Sequence, residues 1–92
     1  MRFSDETLRR FWRTGRAKGI DARSAEHLTE LLSALNAATR PEDMAQPSWD
    51  FHALKGDCKG RYAVEVRGLF RLVFEWENEE PIHVRIEDYH GQ

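Results

Sequence analysis

Side chains able to transfer protons or bind phosphate gather in three short segments of this 92-residue chain. His52 and Lys55 stand together in the middle, Arg71 lies within a later apolar run, and Tyr89 and His90 lie near the carboxyl terminus. An imidazole transfers protons near neutral pH, whereas ammonium and guanidinium groups stabilise the charge of a phosphate. No metal-ligand spacing and no nucleophile motif accompanies them in the sequence. The set therefore predicts acid–base chemistry on a phosphodiester.

Cleavage of RNA without a metal divides into three tasks that these side chains could share. A base removes the proton of the ribose 2′-OH, cations stabilise the developing phosphorane charge, and an acid protonates the leaving 5′-oxygen. Tyr89 is able to stack on a base or to assist a proton transfer. The residues alone do not separate the base from the acid.

Each candidate also has a purely structural interpretation. His52 could cap a loop, and Arg71 could form an ion pair with Glu65 or Glu75 within a sheet. Residues close to a carboxyl terminus are ordinarily frayed. These alternatives stay open on the residues alone.

Length and composition predict one globular domain spanning residues 1–92, with no cofactor. The chain is 40% hydrophobic and 33% charged, and its single cysteine, Cys58, excludes an internal disulfide and fits a reducing compartment. No apolar run approaches the length of a membrane span, and the first residues lack a signal-peptide layout. We therefore expect a cytoplasmic protein.

The net charge of −2 hides two basic segments. Residues 1–20 carry six basic and two acidic groups, and residues 51–74 carry five and two. If these segments adjoin in the fold, they create a local positive field that attracts a polyanion. The alternative is a mixed, solvated surface.

The first half of the chain predicts a helical hairpin. Ser4 is the expected N-cap of a first helix whose apolar face holds Leu8, Phe11 and Trp12, and glycines end it. Asp21 is expected to cap a second helix, about five residues later, that closes near residue 40. Its apolar stripe comprises Ala25, Leu28, Leu31, Leu32, Leu35 and Ala38.

The second half predicts a sheet. A short strand near 50–54 is followed, from Arg61 onward, by three runs with a period of two and short connections, as in an antiparallel meander. The even-numbered apolar residues from 62 to 86 are expected to face a core covered by the helical hairpin, which gives an α+β fold. Arg61, Arg67, Arg71 and Arg85 then project from the other face, where the three chemical segments could converge on an open, basic surface.

A longer pattern links these pieces. It comprises Asn36-Ala37-Ala38, residues 41–44, the H-x-L-K-G motif from His52, the R-x-x-F motif from Arg71 and the terminal D-Y-H motif from Asp88. This pattern covers nearly the whole chain and closely resembles the HigB-type toxins, the killer-protein branch of the RelE/ParE superfamily.

The resemblance implies a fold, an activity and a partner. The fold is two helices against a twisted antiparallel sheet, similar to small microbial ribonucleases. The activity is that of a ribosome-dependent mRNA endonuclease that cuts the codon in the A site. The expected partner is a helix-turn-helix antitoxin similar to HigA, and operator DNA would be contacted only through the toxin–antitoxin complex.

The resemblance also implies site residues. The catalytic positions carry over to His52, Lys55, Arg71, Tyr89 and His90. By their chemistry, His52 or His90 would transfer protons, Lys55 and Arg71 would bind the phosphate, and Tyr89 would position a base. Further RNA-binding positions are expected at Lys59, Arg61, Arg67 and Asp88.

Two other functions compete with this one. A toxin of the ParE type would inhibit DNA gyrase through surface contacts and would not need His52, Lys55 and His90, so their joint presence favours RNA cleavage. A degenerate toxin, retained only to bind its antitoxin, is the other alternative. The sequence departs from the family with Arg61-Tyr62 in place of an aromatic pair and with Leu69-Phe70 in place of Asn-Trp.

Overall fold

The computed structural model describes residues 1–54, 60–67 and 70–88, with only the backbone of Arg67 and Asp88. The elements are helices α1 (Glu6–Thr14) and α2 (Ala25–Ala37), a 3₁₀ turn (Pro41–Met44), and strands β1 (His52–Ala53), β2 (Arg61–Arg67), β3 (Phe70–Glu77) and β4 (Glu80–Asp88). The predicted α+β architecture is confirmed. Within the described ranges, no helix has the length and apolar character to cross a membrane.

Helix α1 begins one residue later than predicted. Asp5, rather than Ser4, caps it, because its carboxylate accepts a hydrogen bond from the backbone N–H of Leu8 (3.1 Å). The helix ends at Gly15, whose φ of 77° lies in the left-handed region that glycine adopts without a steric penalty.

Helix α2 is shorter at both ends than predicted. Asp21 does not cap it, since its carboxylate and carbonyl accept the N–H groups of Arg23 and Ser24 in a turn that precedes the helix. Ser24 occupies the N-cap position, and the helix ends at Ala37 instead of near residue 40. The connection from α1 therefore has ten residues instead of about five.

The strands form one antiparallel sheet in the order β1-β2-β3-β4. The amino-terminal residues add a short parallel bridge, in which Phe3 lies opposite Val84 on the outer side of β4. Backbone hydrogen bonds from Ser4 to the Val84 carbonyl and from Val84 to the Arg2 carbonyl hold this bridge. The bridge uses backbone groups that would otherwise be unpaired along that edge of the sheet.

One face of the sheet packs against the helices, and most of the predicted inward residues lie there. The fully buried core joins both helices to β2, β3 and β4 through Leu8, Leu28, Leu31, Leu32, Leu35, Val64, Leu72, Phe74 and Val84. We call the opposite side of the sheet the open face. Strand alternation places Ala63 and Val73 on the open face, and both are also fully buried.

Ile82 departs from the predicted alternation. Between the pair Val73–Arg85 and the pair Glu75–Ile82, β4 contains one residue more than β3, which marks a β-bulge. His83 lies in this bulge with a φ of 53°. The extra residue places Ile82 opposite Glu75, so its prediction as a core-facing residue is wrong, although its side chain is buried.

Asp43 gives the fold an acid-sensitive contact. Its carboxylate accepts hydrogen bonds from the backbone N–H (2.8 Å) and hydroxyl (3.2 Å) of Thr39, and these bonds lower its pKa below the ordinary value of 3.8. A lowered folded-state pKa stabilises the fold above the pKa of the unfolded chain. This contribution is lost as the pH falls through the folded value.

We therefore expect Asp43→Asn to lower the urea midpoint slightly at pH 7, and this difference from the wild type should shrink as the pH falls through the lowered folded-state pKa of Asp43. Urea unfolding followed by circular dichroism at both pH values measures this difference. Glu42→Gln, one residue earlier, is the matched control and should leave the midpoint unchanged. A difference between Asp43→Asn and wild type that persisted at low pH would show that the carboxylate charge is not the cause.

Candidate functional site

His52 is positioned by the end of the loop that leads into β1. The side chain of Trp49 is 9% exposed in the core, and its carbonyl accepts the backbone N–H of Glu65 (2.8 Å). Asp50 follows with a φ of 50°, a conformation that aspartate adopts more readily than most residues. His52 then pairs with Ala63 of β2. The histidine is thus fixed on the open face by core packing and by strand pairing.

The imidazole of His52 has a defined orientation and tautomer. Its Nδ1 lies 2.9 Å from the carbonyl oxygen of Asp50. A carbonyl oxygen only accepts, so Nδ1 carries a proton and donates it. In the neutral ring, Nε2 is then left with its lone pair, which is the form that a general base requires.

Arg71 lies on the same face, in the middle of the sheet. The register His52–Ala63–Val73 places His52 two strands across and two residues along from Arg71, so their Cα atoms are about 12 Å apart. The guanidinium of Arg71 donates from Nη2 to Oε1 of Glu87 at 3.5 Å, and its side chain is only 19% exposed. A partly buried cation and a proton acceptor therefore share one surface.

The ion-pair partner of Arg71 differs from the two proposed from the sequence. The pairing of β3 with β4 places Glu87 directly opposite Arg71. Glu65 is the opposite neighbour on β2. Glu75 lies further along β3, where its carboxylate is 3.3 to 3.6 Å from His83, Arg61 and Arg85.

These contacts join into a chain of ion pairs that we call the open-face network. Its members are Arg61, Arg71, Glu75, His83, Arg85 and Glu87. Arg85 links its two halves, because its Nε donates to Glu87 at 2.9 Å while its Nη1 lies 3.6 Å from Glu75. Arg85 was predicted on this face, whereas the role of Glu87 was not predicted. The detectable signal was the alternation of arginine and glutamate at matching positions of adjacent strands.

The described part of the open face carries charges of both signs. Among the described side chains, the central part carries Arg61, Arg71 and Arg85 together with Glu65, Glu75 and Glu87. Guanidiniums and carboxylates are thus equal in number there. An anionic substrate would have to compete with the protein's own carboxylates for these arginines.

The other predicted site residues lie partly or wholly beyond the described structure. Lys55, Lys59, Tyr89 and His90 are outside the described residues. Arg67 and Asp88 are described only as backbone at the ends of β2 and β4, where each lies opposite Phe70. Among the described residues, no group of three or more His, Cys, Asp or Glu side chains is placed to hold a metal ion.

Leu54 and Asp88, the last described residues before Lys55 and before Tyr89, lie at opposite ends of the sheet. The backbone N–H of Leu54 donates to the carbonyl of Arg61, which lies opposite Glu75. Asp88 lies opposite Phe70, which is five residues from Glu75 along β3, a distance of about 17 Å. The convergence of all five catalytic candidates on one point stays a prediction.

Comparison with known proteins adds an independent line of evidence. The family model described as the RelE-like toxin of type II toxin–antitoxin system HigB matches residues 1–90. The chain is also similar to a protein named Endoribonuclease HigB from Proteus vulgaris, with 27% identity over 88 residues. That likeness covers 96% of each chain, so it includes both helices and all four strands.

Proposed function

The chain belongs to the HigB family of RelE-like toxins of type II toxin–antitoxin systems, and from this premise we propose that it is an endoribonuclease that cleaves mRNA on the ribosome. The name of the Proteus vulgaris relative supports the ribonuclease activity. The observation that carries the proposal is the shared position of His52 and Arg71 on the open face. One supplies a proton acceptor with a fixed tautomer and the other supplies a partly buried guanidinium.

The proposed reaction assigns one task to each group. Nε2 of His52 takes the proton of the ribose 2′-OH, and the 2′-oxygen attacks the adjacent phosphorus. Arg71 and Lys55 stabilise the charge on the non-bridging oxygens. The bond from phosphorus to the 5′-oxygen breaks, and His90 gives its proton to that oxygen. The products are a 2′,3′-cyclic phosphate and a 5′-hydroxyl, with no metal or cofactor taking part.

The remaining site residues are proposed to hold the RNA. Tyr89 stacks on a base of the bound codon, which positions the scissile phosphate. Lys59, Arg61 and Arg67 contact neighbouring phosphates, and Asp88 is an acceptor for base or ribose groups. Of these, Arg61 must leave or share its pairing with Glu75, 3.6 Å away, to contact RNA.

A toxin of a type II system has an antitoxin as its partner. We propose that the antitoxin is a helix-turn-helix protein similar to HigA and that it carries the complex to operator DNA. The ribosome and its mRNA are the proposed targets, which places the protein in the cytoplasm.

Labelled precursors distinguish this function from gyrase inhibition in cells. After induction of the toxin, incorporation of methionine into protein should fall within minutes, while incorporation of thymidine into DNA should continue at first. This order is expected because cleavage of mRNA stops translation directly. Pulse labelling at successive times after induction measures both rates.

The reverse order, with DNA synthesis failing first, would contradict the proposal and support a ParE-like inhibitor. Induction together with the antitoxin serves as the control and should preserve both rates. The similarity to a protein named as an endoribonuclease favours the first outcome.

A further inference from the structure

Three residues form a row across the open face at the level of Arg71. The strand register places Glu65 on one side of Arg71 and Glu87 on the other. The guanidinium is therefore flanked by a carboxylate-bearing residue on each neighbouring strand. An arginine that binds phosphate from this position has to exchange one anion for another.

The contact between Arg71 and Glu87 is long for a charged hydrogen bond. Its length is 3.5 Å, whereas strong bonds between guanidinium and carboxylate groups measure about 2.7–2.9 Å. The other oxygen of Glu87 accepts from Nε of Arg85 at 2.9 Å. Glu87 is thus held more closely by Arg85 than by Arg71.

Arg85 is itself fixed by several contacts. Its Nη1 donates to the carbonyl of His83 at 2.7 Å and lies 3.6 Å from Glu75, and its side chain is 20% exposed. The bulge in β4 at His83 supplies this carbonyl. Arg85 can therefore keep Glu87 in place and compensate its charge when Arg71 turns away.

We propose that Glu87 is a positioning residue whose contact with Arg71 is replaced by the phosphodiester, while Arg85 retains Glu87. This inference rests on the proposed function and deepens it. In the free protein, Glu87 holds the guanidinium of Arg71 on the open face. When RNA binds, a non-bridging phosphate oxygen takes the hydrogen bond of Nη2 from Oε1 of Glu87. The carboxylate, held by Arg85, stays beside the guanidinium in the bound complex and limits its movement.

Removal of the Glu87 charge should therefore have opposite effects on binding and on turnover. Without a competing carboxylate, Arg71 binds phosphate more tightly, but its guanidinium is less well aligned for the reaction. A residue with only a structural role would weaken binding and turnover together.

The experiment compares Glu87→Gln with wild type on ribosomes programmed with defined mRNA. An mRNA with a 2′-O-methyl group at the scissile position gives Kd without cleavage, and unmodified mRNA at saturating protein gives the single-turnover rate. We expect Kd to fall up to about fivefold, the range of a partly exposed ion pair. We expect the rate to fall roughly tenfold through loss of alignment.

Three further variants separate the local effect from the general charge. Glu77→Gln removes one negative charge from an exposed position of the same sheet and should leave the rate unchanged. Glu87→Asp keeps the charge with a shorter reach, so Kd should stay near wild type while the rate falls. In an Arg71→Gln background, Glu87→Gln should produce no further change in Kd.

Two results would overturn the proposal while wild type still cleaves. One is an unchanged or weaker affinity in Glu87→Gln with normal thermal stability. The other is a gain in affinity from Glu87→Gln that is equally large in the wild-type and in the Arg71→Gln background. Absence of cleavage by wild-type protein would instead contradict the proposed function itself, so the two failures are distinguishable.

Discussion

Replacement of His52 with glutamine is expected to lower the rate of mRNA cleavage by about 10²- to 10⁴-fold, the usual contribution of a general base. Glutamine cannot accept the proton of the ribose 2′-OH near neutral pH. The side chain lies on a short strand and contacts the carbonyl of Asp50, so the core is not altered by the change. Single-turnover cleavage on programmed ribosomes measures the loss.

A second histidine provides the matched control. His27 lies on α2, where its ring contacts Trp49 and Glu30, away from the open face. His27→Gln should leave the cleavage rate within about twofold of wild type, because α2 packs against the side of the sheet opposite the open face. A His52→Gln variant that cleaved as fast as His27→Gln would remove His52 from the mechanism.

Replacement of Arg71 with glutamine should lower the rate by about 10²- to 10³-fold, as does removal of a donor that stabilises transition-state charge. The fold should survive. Glu87 keeps its bond to Arg85, so removal of Arg71 does not leave this carboxylate without a cationic partner. Arg71→Lys should restore little activity, because an ammonium cannot reproduce the two parallel hydrogen bonds of a guanidinium.

Urea unfolding and cleavage assays on the same samples decide between a catalytic and a structural role for Arg71. Arg23→Gln, at a side chain that is 77% exposed, removes the same charge outside the site and should change neither quantity appreciably. Unfolding of Arg71→Gln at neutral pH would identify the ion pair with Glu87 as a structural element and would remove the argument for its role in phosphate binding.

The sheet and its core could be predicted because periodicity reports burial directly. Val64, Leu72 and Phe74 alternate with charged residues over strands joined by short turns, and this pattern is incompatible with a helix. The apolar stripe on α2 likewise identifies the face that covers the sheet. These features depend on neighbours in sequence, so no structural information was needed.

Features that depend on one hydrogen bond or one extra residue could not be predicted in the same way. Both Ser4 and Asp5 are acceptable caps, and only the geometry of the chain entering α1 selects Asp5. The bulge at His83 has no clear signature in the sequence, yet it moves Ile82 to the other face of the sheet. A shift of one residue reverses the face of the side chains on one side of it relative to those on the other, so Ile82 changes face while Val84 stays in the core.

The residue types of the site could be predicted from the sequence, but the partners of their side chains could not. The partner of Arg71 follows from the register between β3 and β4, which places Glu87 opposite it. The register in turn reflects the bulge, so the alternation of arginine and glutamate in the sequence could not by itself select Glu87 over Glu65 or Glu75. The hydrogen bond that fixes the tautomer of His52 likewise depends on the positive φ of Asp50.

Primer extension on an mRNA translated in a purified system tests the central claim most directly. With the wild-type protein, new ends should appear within codons when ribosomes are present and should be absent when ribosomes are omitted. His52→Gln and His90→Ala should abolish these ends while leaving translation intact. Intact mRNA in the purified system, together with growth arrest in cells that express the same protein, would contradict the account and assign the toxicity to another target.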